Sequence, residues 1–189
     1  MGSEDPPVPP VEIGRFRSYL LVLARLGLAA HLRGKLDPSD IVQQTLLEAH
    51  VSRALFRGHT AEEEAAWLRT ILVQNMVDAE RALTRKKRDV GRERSLDAVL
   101  AESTARLEGW LQADQSSPSE EVLRQERVLR LAEALASLPE EEQEVLLLRH
   151  CQDLTLEEIG TRLSKTRYAV ARLLHRGTKA LRATLKEEP

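Results

Sequence analysis

The C-terminal stretch 155–185 constrains the fold most, because its apolar residues recur at helical spacing on both sides of a short polar corner. Before the corner, Leu156, Ile159 and Leu163 are spaced to lie on one face of a short helix. After it, one apolar stripe follows a longer segment: Val170, Leu173, Leu174, Leu181 and Leu185. Thr166 stands where its side chain can cap the second helix, and Gly160 permits close approach. The stretch therefore predicts two helices that meet at a tight turn.

The composition favours an all-α fold. Hydrophobic residues make up 42% of the 189 residues, whereas aromatic residues, which are enriched in β-strands, make up only 3%. The single cysteine, Cys151, excludes an internal disulfide framework and is typical of a reducing compartment. No apolar run reaches the ~18 residues that span a bilayer, and the acidic, Pro-rich segment 1–12 lacks the pattern of a signal peptide. We therefore expect a cytoplasmic protein without membrane insertion.

Helical periodicity and turn residues divide the chain into two small helical domains joined by a flexible linker. Residues 1–12 are predicted to be a disordered tail, 13–92 a first domain, 93–118 the linker and 119–189 a four-helix second domain. The polar run 113–120, which contains Pro118, places the linker, although the segment before it is compatible with a short helix. In the first domain we expect helices over about 13–32, 41–55 and 61–88.

Charge is polarised along the chain, although the net charge is only −2. Between Ile159 and Lys186 there is no Asp or Glu, while arginines and lysines are frequent. Such a basic helix-turn-helix is suited to DNA, with its second helix in the major groove. We expect base edges to face Arg167, Tyr168, Ala171 and Arg172, and phosphates to face His175, Arg176 and Lys179, with Thr166 as the cap. The alternative is an ordinary helical hairpin with a solvated basic face.

A second basic cluster ends the third predicted helix: Arg81, Arg85, Lys86, Lys87 and Arg88. Cations at a helix C-terminus interact favourably with the helix dipole, by about 0.3–1 kcal/mol, which is one explanation of the run. The run is longer than this requires, so contact with a nucleic-acid backbone is the other interpretation.

No pattern typical of an enzyme is found. The histidines are scattered without metal-ligand spacing, and no glycine-rich phosphate loop is present. His150 and Cys151 are adjacent on a predicted helix, so their side chains point apart. We therefore expect no catalytic residues, no metal site and no cofactor.

Both domains resemble bacterial sigma-70-type transcription initiation factors of the extracytoplasmic-function class. In the first domain the resemblance is carried by "DPSDIVQQTLLEAH" (37–50), "FRGHT" (56–60) and "WLRTILVQNMVDAERALTRKKR" (67–88). In the second it is carried by the run 135–182, which contains "TLEEIGTRLSKTRYAVARLLHRG". The resemblance implies sigma domain two at 13–92 and sigma domain four at 119–189. Such a factor binds core RNA polymerase, directs it to promoters and helps to melt the minus-ten element.

The resemblance also implies residue roles. Domain two would bind the β′ clamp helices of the polymerase through Asp40, Gln43, Gln44 and Glu48. The minus-ten element would be captured by Phe56, Arg57 and His59, hydrogen-bonded by Gln74 and Asn75, and held along its backbone by Arg69, Arg81, Arg85 and Lys86. Domain four would bind the minus-thirty-five element with the second helix of the helix-turn-helix and dock on the β flap. Trp67 is expected to be a core anchor of its helix.

An anti-sigma protein is a further partner that the resemblance suggests. The alternative function is a stand-alone helix-turn-helix regulator that binds operator DNA without direct contact with core polymerase. A helical interaction module that does not touch DNA is another. The polar second helix and basic third helix oppose the regulator, and the acid-free block 159–186 opposes the interaction module.

Overall fold

The computed structural model describes residues 13–28, 32, 34–84, 90–112 and 121–187, and within them every regular element is helical. The described α-helices are α1 (Arg17–Gly27), α2 (Pro38–Val51), α3 (Ala61–Thr84), α4 (Val90–Gln112), α5 (Glu121–Ala136), α6 (Glu140–His150), α7 (Leu156–Leu163) and α8 (Arg167–Glu187). Short 3-10 turns at Ile13–Phe16 and Arg53–Leu55 precede α1 and follow α2. The prediction of an all-α fold is confirmed.

Helix α1 lies at the centre of the molecule. Its buried residues cover an arc of about 200° around the helix axis, so more than half of its surface faces other helices. Helices α2, α3, α4 and α5 all contact it. Tyr19 is fully buried and its hydroxyl lies 3.0 Å from Oγ1 of Thr104 on α4. Because the Thr104 hydroxyl already donates to the carbonyl of Leu100, the Tyr19 hydroxyl is the donor in this pair.

Helices α5 to α8 form the four-helix unit predicted for the C-terminal part. Its inner cluster joins α6, α7 and α8 through Val145, Leu148, Ile159, Val170 and Leu173. Each fully buried aliphatic side chain of this size contributes about 1.5–3 kcal/mol relative to an exposed one. The three helices are therefore held together by side chains from all of them.

Helix α4 occupies most of the segment that was predicted to be a flexible linker, 93–118. It packs on α1, α3, α5 and α6, and its Leu100 and Leu107 are fully buried. The linker prediction is therefore wrong for residues 93–112, while 113–118 lie outside the described residues. Local composition misled the prediction, since the apolar residues of α4 are buried only by helices distant in sequence.

The two halves of the chain share one core. A single cluster extends from Phe16 on the first 3-10 turn to Leu146 on α6 and Leu181 on α8. Polar contacts add to it, because the side-chain amide of Gln152 donates to the carbonyl of Leu26 at 3.3 Å. The domain boundaries at 92 and 118 thus do not coincide with a gap in the packing of the described residues.

Helix ends agree with the sequence to within a few residues. The third helix is described as far as Thr84, and its predicted continuation, 85–88, lies outside the described residues. Pro139, which is a favourable residue at a helix start, takes the N-cap position of α6. None of the helices described here combines the length and apolarity needed to cross a membrane.

Candidate nucleic-acid interface

The corner between α7 and α8 is fixed by two caps and a left-handed residue. Thr155 and Glu158 form a reciprocal capping box at the start of α7. Ser164 ends that helix with φ 53° in the left-handed region, where the backbone turns. The Thr166 hydroxyl accepts from the backbone N–H of Ala169 at 3.2 Å, so the predicted cap of the second helix is confirmed.

Gly160 permits the tight approach at this corner. A β-carbon on Gly160 would lie 2.7 Å from the carbonyl oxygen of Lys165, which is closer than real contacts allow. The N–H of Lys165 donates to the Gly160 carbonyl at 2.8 Å. The predicted role of this glycine is therefore confirmed, and the Ser164–Lys165 corner is a compact turn.

Helix α8 has one buried and one exposed face, as its sequence indicates. Val170, Leu173 and Leu181 are buried, with Leu174 and Leu185 half-buried beside them. The opposite face exposes the side chains predicted to contact DNA: Arg167, Tyr168, Arg172, His175, Arg176 and Lys179. Tyr168 is 79% exposed, which is unusual for a tyrosine and leaves its ring free to contact a ligand. Ala171 is half-buried.

Three of the cations around the corner are already paired with carboxylates. Lys165 contacts Glu141 at 2.7 Å, and Arg167 contacts Glu157 at 2.6 Å. Arg176 binds Glu142 through both Nε and Nη2, and Glu142 is 6% exposed. These pairs join α8 and the turn to α6 and α7, so Arg176 has a structural role that the sequence did not predict.

Other cations of α8 have no such partner. Arg172, Lys179, Arg182 and Lys186 are all exposed, and none contacts a carboxylate within the part of the chain the structure describes. Carboxylates of α6 and α7 thus neutralise Arg176 and Arg167, whereas the row formed by Arg172, Lys179, Arg182 and Lys186 stays charged. An unneutralised line of this kind is the electrostatic footprint expected of a surface that binds phosphates.

The face of α2 predicted to bind polymerase also exposes two apolar residues. Asp40, Gln43 and Gln44 are exposed. At 100° per residue, Leu47 and Val51 point within about 20° of Asp40, and they are 59% and 77% exposed. Sequence reasoning missed these two residues, which lie away from the buried Ile41 and Thr45 of the same helix.

Glu48 is placed differently from the other three polar residues of this face. It is half-buried and accepts hydrogen bonds from Gln44 at 2.8 Å and from the Asn75 side chain at 3.1 Å. Asn75 also donates to Thr45 at 3.3 Å. The amide of Asn75 therefore ties α3 to α2, and it would have to leave these partners to contact a base of the minus-ten element.

The loop 56–60 is held against the start of α3. The ring of Phe56 stacks on Trp67 with centroids 4.9 Å apart, and the guanidinium of Arg53 lies over the Phe56 ring, 5.0 Å from its centroid. Arg53 in turn pairs with the buried Glu64 at 2.5 Å. A β-carbon on Gly58 would meet the Phe56 ring at 2.3 Å, so the loop folds over that ring. Trp67 is half-buried in this assembly, consistent with its expected anchoring role.

Three glutamates that follow the loop, Glu62, Glu63 and Glu64, belong to the first turn of α3. Glu63 accepts hydrogen bonds from the backbone N–H groups of His59 and Thr60, at 2.7 and 3.1 Å. These bonds hold the pKa of the Glu63 carboxyl below its ordinary range. The side chains of Arg57 and His59 are exposed, so both are accessible to a ligand.

The remaining residues predicted for the minus-ten element are not gathered at the loop. Gln74 is exposed but lies fourteen residues beyond Thr60, roughly 20 Å along a helix. Arg69 pairs with Asp97 on α4 at 3.3 Å, and Arg81 pairs with Asp78 at 2.5 Å. Arg85 and Lys86 lie outside the described residues. The structure therefore places Phe56, Arg57 and His59 in one loop, whereas Arg69, Gln74, Asn75 and Arg81 are distributed along and around α3.

Chemistry other than binding finds little support among the described residues. They contain no group of three or more His, Cys, Asp or Glu side chains that could hold a metal ion. Cys151 is buried, and its burial raises the pKa of the thiol to about 12. This thiol is therefore poorly nucleophilic at neutral pH.

Residues 134–183, which extend from the end of α5 through most of α8, match the family model for sigma-70, region 4. No curated protein matches the chain. The C-terminal helices thus carry a sigma-70 region 4 domain, a helix-turn-helix domain of transcription factors that bind DNA. The exposed cations of α8 from Arg167 to Arg182 lie within that matched segment.

Proposed function

We propose that this protein is a transcription initiation factor of the extracytoplasmic-function sigma type. It binds core RNA polymerase, directs it to specific promoters and helps to melt the minus-ten element. One observation carries the proposal: the region 4 match covers a helix-turn-helix whose second helix presents an exposed, unneutralised cationic face.

Upstream recognition is assigned to the start of α8. Tyr168 and Arg172 lie four residues apart on its exposed face, where the N-terminal residues of a recognition helix meet base edges. Arginine is suited to guanine because its two N–H groups reach both acceptors of that base in the major groove. Arg167 is held by Glu157 and has to exchange this partner to reach DNA.

Polymerase binding is assigned to α2. Its exposed face has Leu47 and Val51 in its C-terminal half and Asp40, Gln43 and Gln44 in the turns before them. Exposed apolar side chains bordered by polar ones are common in protein–protein interfaces. Helical partners such as the β′ clamp helices fit this narrow stripe, because apolar side chains four residues apart lie on a single line along a helix.

Minus-ten capture is assigned to the loop that follows α2. Arg57 and His59 have exposed side chains there, and each offers a planar group on which an unstacked base can stack, worth about 1–3 kcal/mol. The ring of Phe56 is already in contact with Trp67 and Arg53, so its proposed role is to hold the loop in place beside these two residues. Asn75 has no part in this contact, since its amide is used within the fold.

Binding both promoter elements requires the two halves to separate. The two elements are centred about two and a half helical turns apart, roughly 85 Å of duplex. A compact chain of this length has a radius of gyration of about 16 Å, which corresponds to a diameter of roughly 40 Å. We therefore assign the conformation with one shared core to the free protein. When the protein binds polymerase, α5 separates from α1 and α4.

Transcription with core polymerase tests the proposal. The full chain, mixed with bacterial core polymerase and a promoter library, is expected to yield transcripts that begin at defined sites. Leu47→Asp combined with Val51→Asp should lower the affinity for core by more than about tenfold. Val99→Asp, at a similarly exposed position on α4, is the matched control and should bind core normally.

A stand-alone regulator predicts the opposite behaviour. If the chain shifts specific duplexes tightly on its own but never associates with core polymerase, the proposal is wrong. An anti-sigma protein remains a prediction from the resemblance, and its capture would require a separate binding experiment.

A further inference from the structure

The outer line of α8 continues well beyond the residues assigned to recognition. Arg172, His175, Lys179, Arg182 and Lys186 are spaced by three or four residues and are all exposed. At 100° per residue they fall within an arc of about 80°, on the same line as Tyr168. The line from Arg172 to Lys186 is about 21 Å long. We call these five side chains the basic ridge.

The C-terminal half of the basic ridge borders a shallow depression of about 370 Å³. It is lined by His175, Lys179, Arg182 and Lys186 and by two smaller residues, Thr178 and Ala183. The depression is thus open to solvent and edged by cationic groups. This shape admits a phosphate between the side chains, whereas long apolar residues at 178 and 183 would fill it.

Charge capping of α8 does not explain the basic ridge. A helix C-terminus carries about half a negative charge, and the favourable effect on cations is confined to the last turn. Interaction with the helix dipole therefore accounts for Lys186, but not for Lys179, which lies two turns earlier. Within the described chain these cations also lack the carboxylate partners that Lys165, Arg167 and Arg176 have. The ridge is therefore not used to hold the fold together.

The length of α8 decides what the distal part of the ridge can reach. The helix has 21 residues and is about 31 Å long, whereas the major groove is only about 12 Å wide. If Tyr168 and Arg172 lie at base edges, the distal turns have to leave the groove. They then pass over the strand that borders it, where the nearest groups are phosphates.

We infer that Arg182 and Lys186, with Lys179, bind the phosphate backbone that flanks the recognised promoter element. The contact is independent of sequence and lengthens the footprint of the helix-turn-helix on one side. This inference rests on the proposed function, because it requires the start of α8 to lie in the major groove of the same duplex.

Salt dependence of duplex binding tests the inference. Binding of the full chain is measured by fluorescence anisotropy on a promoter duplex between about 50 and 200 mM salt. Each phosphate contact contributes about 0.9 to the slope of log affinity against log salt concentration, so Arg182→Gln with Lys186→Gln should lower the slope by about 1.8. The ratio between the duplex affinity of the unchanged chain and that of this variant should therefore fall about tenfold between about 50 and 200 mM salt.

A matched control removes the same charge elsewhere. Arg124→Gln with Arg130→Gln changes two exposed arginines on α5 and should leave the slope unchanged. Trimming base pairs from the flank should lower the slope for the unchanged chain and have no further effect on the ridge variant. Thermal unfolding of both variants checks that each is folded.

The two possible failures are distinguishable. If transcription is promoter-directed but the ridge variant keeps the full slope, the ridge inference is overturned and the proposed function stands. The ridge inference also fails if flank trimming affects both proteins equally, or if the ridge variant loses a protein partner and not DNA affinity. If the unchanged chain directs no transcription and binds duplex DNA without salt dependence, both the inference and the proposed function are wrong.

Discussion

The indole of Trp110 on α4 stacks on the imidazole of His150 at the end of α6, with ring centroids 4.0 Å apart and planes inclined by 13°. The pair joins the helix that replaces the predicted linker to the sigma-70 region 4 domain. Burial, together with the neighbouring Arg149 cation, holds the pKa of His150 below its ordinary value of 6.5. The neutral imidazole is therefore the form that the folded protein favours.

Stability is expected to fall as the pH falls through 6.5. A base whose pKa is lower in the folded state binds protons more readily when unfolded, so protonation favours unfolding. The contribution of neutral His150 to the free energy of unfolding is fully present above the ordinary pKa and is lost below it. For one proton, the free energy of unfolding changes by at most about 1.4 kcal/mol per pH unit. Urea unfolding at a series of pH values between about 5.5 and 8 measures it.

Two variants separate His150 from other titrating groups. His150→Gln should flatten the dependence in this range, whereas His50→Gln, at an exposed position, should leave it unchanged. The carboxyls with lowered pKa values, Glu63, Glu141 and Glu158, have an ordinary value of 4.5 and lose their contributions below this range. An unchanged slope in His150→Gln would contradict the assignment.

Arg172 and Arg176 are expected to differ although both lie on the exposed face of α8. Arg172→Ala should weaken promoter binding by about 1–3 kcal/mol and relax the sequence preference, with no loss of stability. Arg176→Ala leaves the buried carboxylate of Glu142 without its partner and should lower the free energy of unfolding by about 1–2 kcal/mol, since the arginine itself is half-exposed.

The stability effect of Arg176 can be checked against its partner. Glu142→Gln removes the buried charge, so adding Arg176→Ala to that variant should cost much less than it does alone. Chemical unfolding of the four proteins gives the coupling energy. Equal costs in both backgrounds, or a shifted sequence preference in Arg176→Ala, would show that Arg176 reads DNA instead of bracing α8.

Periodicity and cap chemistry predicted α8, because the features that decide it are local. The stripe from Val170 to Leu181 and the cap at Thr166 can be read from neighbouring residues. The contacts that were missed are distant in sequence: Asn75 bonds to Glu48, and Leu100 is buried against α1. No local pattern predicts that a polar residue such as Asn75 bonds to another helix of the same protein. Nor does it predict that the apolar residues of α4, next to a polar run, are buried by helices distant in sequence.

Ser164→Gly is expected to stabilise the corner of the helix-turn-helix. Ser164 has φ 53°, a conformation that costs an L residue about 1 kcal/mol and glycine almost nothing. The gain should be about 0.5–1 kcal/mol in the free energy of unfolding, measured with urea. Thr161→Gly, at an exposed position inside α7, is the control and should destabilise by a similar amount. A loss of stability in Ser164→Gly would mean that the serine hydroxyl makes a contact that outweighs the strain.

Cross-linking the two halves tests whether the shared core opens for transcription. Arg15 and Glu126 approach to 3.9 Å across the boundary between the first 3-10 turn and α5. Arg15→Cys with Glu126→Cys, joined by a short bis-methanethiosulfonate reagent that forms a disulfide with each thiol and releases methanesulfinate, should still bind core polymerase but fail to direct transcription, because the halves cannot span both promoter elements. Cys151 should not compete, since burial raises the pKa of its thiol to about 12. Reduction of the cross-link should restore transcripts, and each single-cysteine variant treated alike should remain active. Full activity of the cross-linked chain would mean that initiation does not require the halves to separate.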